Sequence, residues 1–336
     1  MNCSMTNLEN RPGRLAWLPA ASLLLTLALA QPPLAMAQNG EADEPLSCEL
    51  QAIALRNACG SDVTDDLWES RTICENLPDE LEREECMDEA EDENVESRQL
   101  CRDQLDARKD LCAALDEDRY VVELDPADFV ADPLTIGADV TPNPYFPLVP
   151  GTRWVYVSEE DGETITVEVL DSVKTIEGIT AIVVRDTVVL TDGGELIEDT
   201  DDYYAQDLDG NVWYLGEIAL NYEEGDLVNI DGSWQAGRDG AQAGVIMFAD
   251  PQVDTVYRQE YLPAEAEDAA RIVTVSGEGE SEAANCDSAC VITDDFTPIE
   301  PDALEQKVYA PGVGVILELD PESGEPVLEL VEFTTP

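Results

Sequence analysis

The 336-residue chain contains no histidine. That absence removes Ser-His-Asp and Cys-His catalysis, histidine-ligated zinc and the usual proton shuttle near neutral pH. Lysine is nearly as scarce: Lys109, Lys174 and Lys307 are the whole complement, and Lys and Arg together number 17 against 75 Asp and Glu. The resulting formal charge of −58 excludes nucleic acid and anionic membrane surfaces as partners, because both demand clustered positive charge. No Cys-x-x-Cys and no paired Asp-Thr/Ser-Gly motif occurs. Beyond residue 37 no apolar run approaches the ~20 residues of a membrane span. Chemistry, if any, must rest on carboxylates, or less readily on Tyr, Lys or a thiolate.

What is present begins with an export signal. Arg11 and Arg14 precede the apolar run Leu15 to Ala30, and Gln31-Pro-Pro-Leu-Ala-Met-Ala37 supplies small residues at the cleavage positions. The expected mature start is Gln38, and Cys3 leaves with the signal. A periplasmic or secreted location follows, with no integral membrane segment after cleavage. The acidic, lysine-poor composition also suits a high-salt medium, where the Debye length shrinks toward ~3 Å, and points to a marine or halophilic source.

An exported chain places its cysteines in an oxidising compartment. Cys48, Cys59, Cys74, Cys86, Cys101 and Cys112 stand at intervals of 11, 15, 12, 15 and 11. The series is a mirror about residue 80, the pattern of two antiparallel arms. Eleven residues make about three helical turns and fifteen about four, so the cysteines of one arm share a face. Bonds within an arm would span about 16 Å of helix, against the ~7 Å limit on Cα separation in a disulfide. The predicted pairing is therefore nested: Cys48–Cys112, Cys59–Cys101 and Cys74–Cys86. Asn76-Leu-Pro-Asp79 supplies the bend, and Gly60-Ser61-Asp62 is expected to interrupt the first arm, with Ser61 or Asp62 capping its continuation. Cys286 and Cys290 are expected to close a small ring at the start of a strand. Zinc and redox roles fit poorly, for want of histidine and of neighbouring positive charge.

From Thr152 the grammar changes to short runs rich in Val, Ile, Thr, Tyr and Trp, broken by turn dipeptides such as Asp192-Gly and Asp209-Gly. About ten to twelve antiparallel strands are expected, closed or half-closed into a barrel or cup. The fold class is α+β: a disulfide-stapled antiparallel helical hairpin followed by a large antiparallel β-domain. The predicted divisions are signal 1–37, flexible leader 38–45, hairpin 46–116, Pro-rich linker 117–150 and β-domain 151–336. Runs such as Trp154-Val-Tyr-Val157 and Val212-Trp-Tyr-Leu215 are apolar on both faces, so the sheet must be covered twice or wrapped round a core.

Residues 143–336 also carry distinctive strings: Asn143-Pro-Tyr-Phe-Pro-Leu-Val-Pro-Gly-Thr-Arg-Trp-Val-Tyr156, Tyr203-Tyr-Ala-Gln-Asp-Leu-Asp-Gly-Asn-Val-Trp-Tyr-Leu-Gly-Glu217, Gly232-Ser-Trp-Gln-Ala-Gly-Arg-Asp-Gly240, Tyr257-Arg-Gln-Glu-Tyr261 and Tyr309-Ala-Pro-Gly-Val-Gly314. This region resembles a family of exported bacterial β-rich proteins. The resemblance implies a secreted β-domain and carries no activity, and the hairpin lies outside it.

Trp154, Tyr156, Tyr203, Tyr204, Trp213 and Tyr214 are the candidates to line a pocket for a small molecule, against the plainer reading that they are core and cross-strand pairs. Asp207, Asp209 and Asn211 resemble the start of a calcium loop, but an EF-hand needs Gly and Glu where Val212 and Ile218 stand. The stretch reads first as a hairpin turn, with weak calcium binding at that turn as the alternative, so calcium is the one candidate ion. The run Asp88 to Glu93 lies on a predicted helix and reads as solvated charge. The expected function is non-enzymatic binding of a small ligand or envelope partner. The alternatives are an acidic calcium-binding envelope or matrix protein and, further off, a carboxylate-dependent hydrolase, for which no spacing singles out a pair.

Overall fold

The computed structural model describes residues 46–336; the expected signal and leader lie outside the described residues. Helix α1 (Cys48–Glu75) and helix α2 (Glu80–Leu115) form an antiparallel hairpin. Ser47 caps α1, and the Asp79 side chain caps α2 by accepting from the amides of Leu81 and Glu82. The hairpin has little core: Ala52, Val63, Ala90 and Leu111 are buried, together with Cys48, Cys74, Cys101 and Cys112. Three disulfides staple it in the nested order, with Cα separations of 5.8, 5.8 and 5.6 Å from base to tip.

The expected break at Gly60-Ser61-Asp62 does not occur, and α1 runs through it. Ser61 donates back to the Asn57 carbonyl and Thr64 to that of Gly60, so the polar side chains serve the helix instead of ending it. The Cys59–Cys101 rung beside Gly60 holds the backbone that a lone glycine would loosen by ~1 kcal/mol.

Fifteen strands follow: β1 (Arg153–Ser158), β2 (Glu163–Ile176), β3 (Ile179–Leu190), β4 (Leu196–Gln206), β5 (Val212–Glu223), β6 (Asp226–Asn229), β7 (Trp234–Gln235), β8 (Gln242–Met247), β9 (Val256–Arg258), β10 (Glu260–Tyr261), β11 (Ala269–Glu280), β12 (Asn285–Phe296), β13 (Leu304–Ala310), β14 (Gly314–Leu319) and β15 (Pro326–Thr334). All pair antiparallel in one sheet ordered β10-β8-β5-β4-β3-β2-β1-β15-β14-β13-β12-β11-β9, with β6 and β7 on β5. The terminal strands of that order, β9 and β10, are separated only by Gln259, so one stretch of chain pairs with β11 on one side and β8 on the other. The sheet is thereby nearly closed into a barrel. Gly244 is required at this seam: a Cβ there would stand 2.2 Å from the Gln259 backbone. Cys286 and Cys290 are bonded at the start of β12.

Residues 117–150 are not a free linker. Two short 3-10 turns, Pro126–Asp128 and Pro133–Thr135, lead a strap whose Phe129, Val130, Ile136 and Leu148 are buried. The strap covers the outer face of β4 and β5, where Phe129 meets the Trp213 ring edge-on, then enters one end of the barrel, where Phe146 packs against Tyr204. It is the second cover that strands apolar on both faces require. Asn143 fixes its course: its Oδ1 accepts from the amides of Tyr145 and Phe146, and its Nδ2 donates to the Gly210 carbonyl.

The hairpin stands on the barrel seam. Arg108 of α2 makes a bidentate, buried pair with Glu267 at 2.7 and 3.0 Å. Arg258 of β9 binds Glu117 and lies over the rings of Tyr261 and Tyr120. Tyr261 donates to Gln51, and Gln104 to the Ile299 carbonyl. Beyond Gln51 and Gln104 no hydrogen bond joins hairpin to barrel among the described residues, so the arms extend about 36 Å further.

Candidate functional site

Alternation along the strands turns every second side chain into the barrel. On β4 that set is Glu198, Thr200, Asp202 and Tyr204; register places Asp202 opposite Glu217, and Tyr204 opposite Tyr214, on β5. Asp186 on β3 stands opposite Thr200. Glu260, in the seam, is buried. The interior thus holds a belt of carboxyls backed by aromatics: Tyr204 and Tyr214 stack at 4.6 Å, and Trp234 meets Tyr214 edge-on at 5.2 Å.

Among the described residues no basic side chain makes an ion pair with Asp186, Asp202, Glu217 or Glu260. Burial, then repulsion from neighbouring carboxyls, pushes Asp202 up to about 7 even though the Tyr214 hydroxyl donates to it at 2.5 Å. The same causes push Glu217 up to about 8 and hold Asp186 and Glu260 well above the carboxylate range. Burial thus favours the protonated form of all four groups. Two polar atoms in this interior lack partners: Oδ1 of Asp186, and Nε1 of Trp234, which faces the Glu260 carboxyl without reaching hydrogen-bond geometry.

A few strands away Lys307 sits between Asp295 (3.7 Å) and Glu318 (3.5 Å). Glu318 in turn lines an open hollow of about 410 Å³ at the barrel mouth with Glu160, Asp161, Glu163, Asp302, Glu305 and Asp320, and no basic side chain lines it. Burial and then neighbouring carboxylates raise Glu163 and Glu305. A separate apolar cavity of about 60 Å³ lies at the end entered by the strap, lined by Phe146, Leu148, Trp154, Tyr156 and Val184 among others.

The six aromatic candidates do not converge. Trp154 and Tyr156 line the small cavity, and Tyr204 and Tyr214 belong to the carboxyl belt. Tyr203 and Trp213 face the other way: Lys174 lies 3.7 Å from the Tyr203 ring centre, and Trp213 packs on Phe129. Asp207 accepts from the Asn211 amide, from Asn211 Nδ2 and from Trp213 Nε1, while Asn211 Oδ1 accepts from Ala249. Its oxygens clamp the β4–β5 turn, and Asp209 lies in that turn beside an open cleft. Among the described residues no three Asp, Glu, His or Cys side chains are grouped as a metal shell.

Sequence reasoning missed Asp186, Asp202, Glu217 and Glu260. The available signal was acids at alternate positions of runs otherwise patterned as strands, as in Glu198-Asp-Thr-Asp-Asp-Tyr-Tyr204. No family model, no curated protein and no solved structure matches the chain. The resemblance over 143–336 accordingly contributes an expectation of secretion and nothing about chemistry.

Proposed function

We propose that this is an exported, non-enzymatic binding protein whose barrel takes a small organic cation at its acidic mouth and inner carboxyl belt. The observation that carries the reading is the mouth hollow, lined by seven carboxylates and no basic side chain, with Lys307 reaching Glu318 from outside the lining. Glu318 also acts electrostatically on Asp186 of the belt, where burial favours protonated carboxyls. The unpartnered Asp186 oxygen is an acceptor without a donor, which an ammonium group would satisfy. Tyr204, Tyr214 and Trp234 offer ring faces and edges beside those carboxyls, the combination that favours organic ammonium over a metal ion. A hydrolase reading gains less: Asp202 and Glu217 stand directly opposite on paired strands and the Tyr214 hydroxyl already donates to Asp202, an arrangement of buried neighbours and not of two acids flanking a scissile bond.

Calorimetric titration with putrescine and with calcium, at matched ionic strength and at pH 6.0 and 8.5, tests the proposal. Saturable putrescine binding that tightens at pH 8.5 and releases protons is expected, because cation and proton compete for one set of carboxylates. Tighter, saturable calcium binding with no putrescine response would instead favour the calcium-loaded envelope protein. No saturable response to either refutes both.

A further inference from the structure

The hairpin carries a second feature, of opposite sign. Arg56 and Gly60 lie four residues apart on α1, and Arg98 and Arg102 four apart on α2, so each pair shares one helix face. The mirror about residue 80 brings these faces level, and they line one hollow of about 330 Å³ with Asn57, Ser61 and Cys101. Three arginines therefore line one hollow in a chain whose acids outnumber its bases more than fourfold, and no carboxylate lines it.

Their hydrogen bonds orient them without neutralising them. Arg98 donates to Asn94 Oδ1 at 3.1 Å and to Thr64 Oγ1 at 2.9 Å; Arg102 donates through Nε to Gln99 Oε1 at 3.0 Å; Arg56 donates to Asn57 Oδ1 at 3.5 Å. All four acceptors are uncharged. Among the described residues none of the three arginines makes an ion pair, whereas Arg71, Arg108, Arg153, Arg185 and Arg258 each do. Pairing is not universal among the arginines; what sets these apart is that three line one hollow. The floor is fixed by the Cys59–Cys101 rung, and Gly60 leaves the space open, since a Cβ there would meet nothing within 4 Å.

We infer that this hollow is a binding site for a tetrahedral oxyanion, a phosphate or sulfate group, free or carried as an ester. Guanidinium groups hold such oxygens by charge-assisted hydrogen bonds, and the bonds to Asn94, Thr64 and Gln99 leave one terminal nitrogen of Arg98 and of Arg102 to donate to an anion. A Debye length of about 8 Å at physiological ionic strength screens the distant carboxylates while leaving the three adjacent charges effective. The site is independent of the barrel and of its ligand.

The test is calorimetry on the full exported chain in chloride buffer with inorganic phosphate, inorganic sulfate and glycerol phosphate. R56Q/R102Q is the variant; both side chains are exposed, so intact disulfides and an unchanged circular dichroism spectrum establish its folding. R153Q, on the barrel, controls for the loss of an arginine elsewhere on the surface. Saturable binding of at least one probe, weakened tenfold or more in R56Q/R102Q and unchanged in R153Q, is expected. Glycerol phosphate binding at least as well as phosphate would identify an ester as the source, and phosphate or sulfate alone the free ion. No saturable binding of any probe, equal loss in R153Q, or binding that survives in R56Q/R102Q would overturn the site. So would hexaglutamate outcompeting every probe, which would mark a response to total charge alone.

Discussion

The hairpin and the barrel solve the problem of a strongly acidic chain in opposite ways. The hairpin keeps its acids in water, buries little, and relies on three covalent rungs. The barrel buries a large apolar core and carries several of its acids inside, where burial favours their protonated form. Covalent restraint suits a thin element because it acts on the unfolded chain and needs no core. The barrel has only the short Cys286–Cys290 ring, and its seam and strap hold it by packing.

The largest test of this contrast is reduction. Each rung is expected to contribute ~2–4 kcal/mol, so full reduction should unfold the projecting hairpin. Far-ultraviolet circular dichroism would lose its helical signal while tryptophan fluorescence of the buried Trp154 and Trp234 holds. Simultaneous loss of both signals would show that barrel and hairpin are one cooperative unit.

Next comes the junction. Replacing Arg108 by Met strands Glu267, which is only 2% exposed, and should cost about 3–5 kcal/mol in urea denaturation. The double variant Arg108→Met with Glu267→Leu should recover most of that loss, since the unpaired charge is what costs. An equal loss in the double variant would mean that packing, not charge, holds the base.

The barrel interior predicts a pH dependence that the hairpin should lack. Asp202 and Glu217 have folded pKa values raised above their unfolded ones, so the folded state holds more protons between them. Their contribution to stability is complete below about pH 4 and is lost as pH rises to about 8, with a slope of up to ~1.4 kcal/mol per unit for each group. Denaturant midpoints of the barrel measured from pH 5 to 8.5 should fall, and Asp202→Asn should flatten the fall. A midpoint that rises over that range would contradict the raised pKa values.

The smallest effect is a cap. Asp79→Ala removes the side chain that accepts from Leu81 and Glu82 and should cost ~1 kcal/mol of hairpin stability. With the Cys74–Cys86 rung one turn away, the loss should show mainly as faster amide exchange at residues 80–83.

Legibility followed the same division. The three rungs and the bend at 76–79 were readable because helix periodicity and the disulfide distance limit are local rules that act on spacing alone. Gly60-Ser-Asp misled because a tertiary cross-link overrode a local propensity. In the β-domain the strand grammar was legible, and the expected ten to twelve strands proved to be fifteen. The Pro-rich stretch read as a linker because its apolar residues follow no period; only the barrel surface gives them something to cover. The arginine hollow sits between these cases. The spacing of Arg98 and Arg102 puts them on one helix face, yet that they share a hollow with Arg56, and that no carboxylate lines it, could be seen only in three dimensions.

By itself, then, the sequence determined the compartment expected for the chain, the catalytic chemistries it lacks, the α+β class and the pairing of the hairpin cysteines. These rest on composition and on distances counted along the chain. Tertiary structure decided which acids face inward, where the sheet meets itself at Gln259, and that the hairpin stands on that seam. Each of those depends on register and closure, in which a shift of one residue exchanges inside for outside.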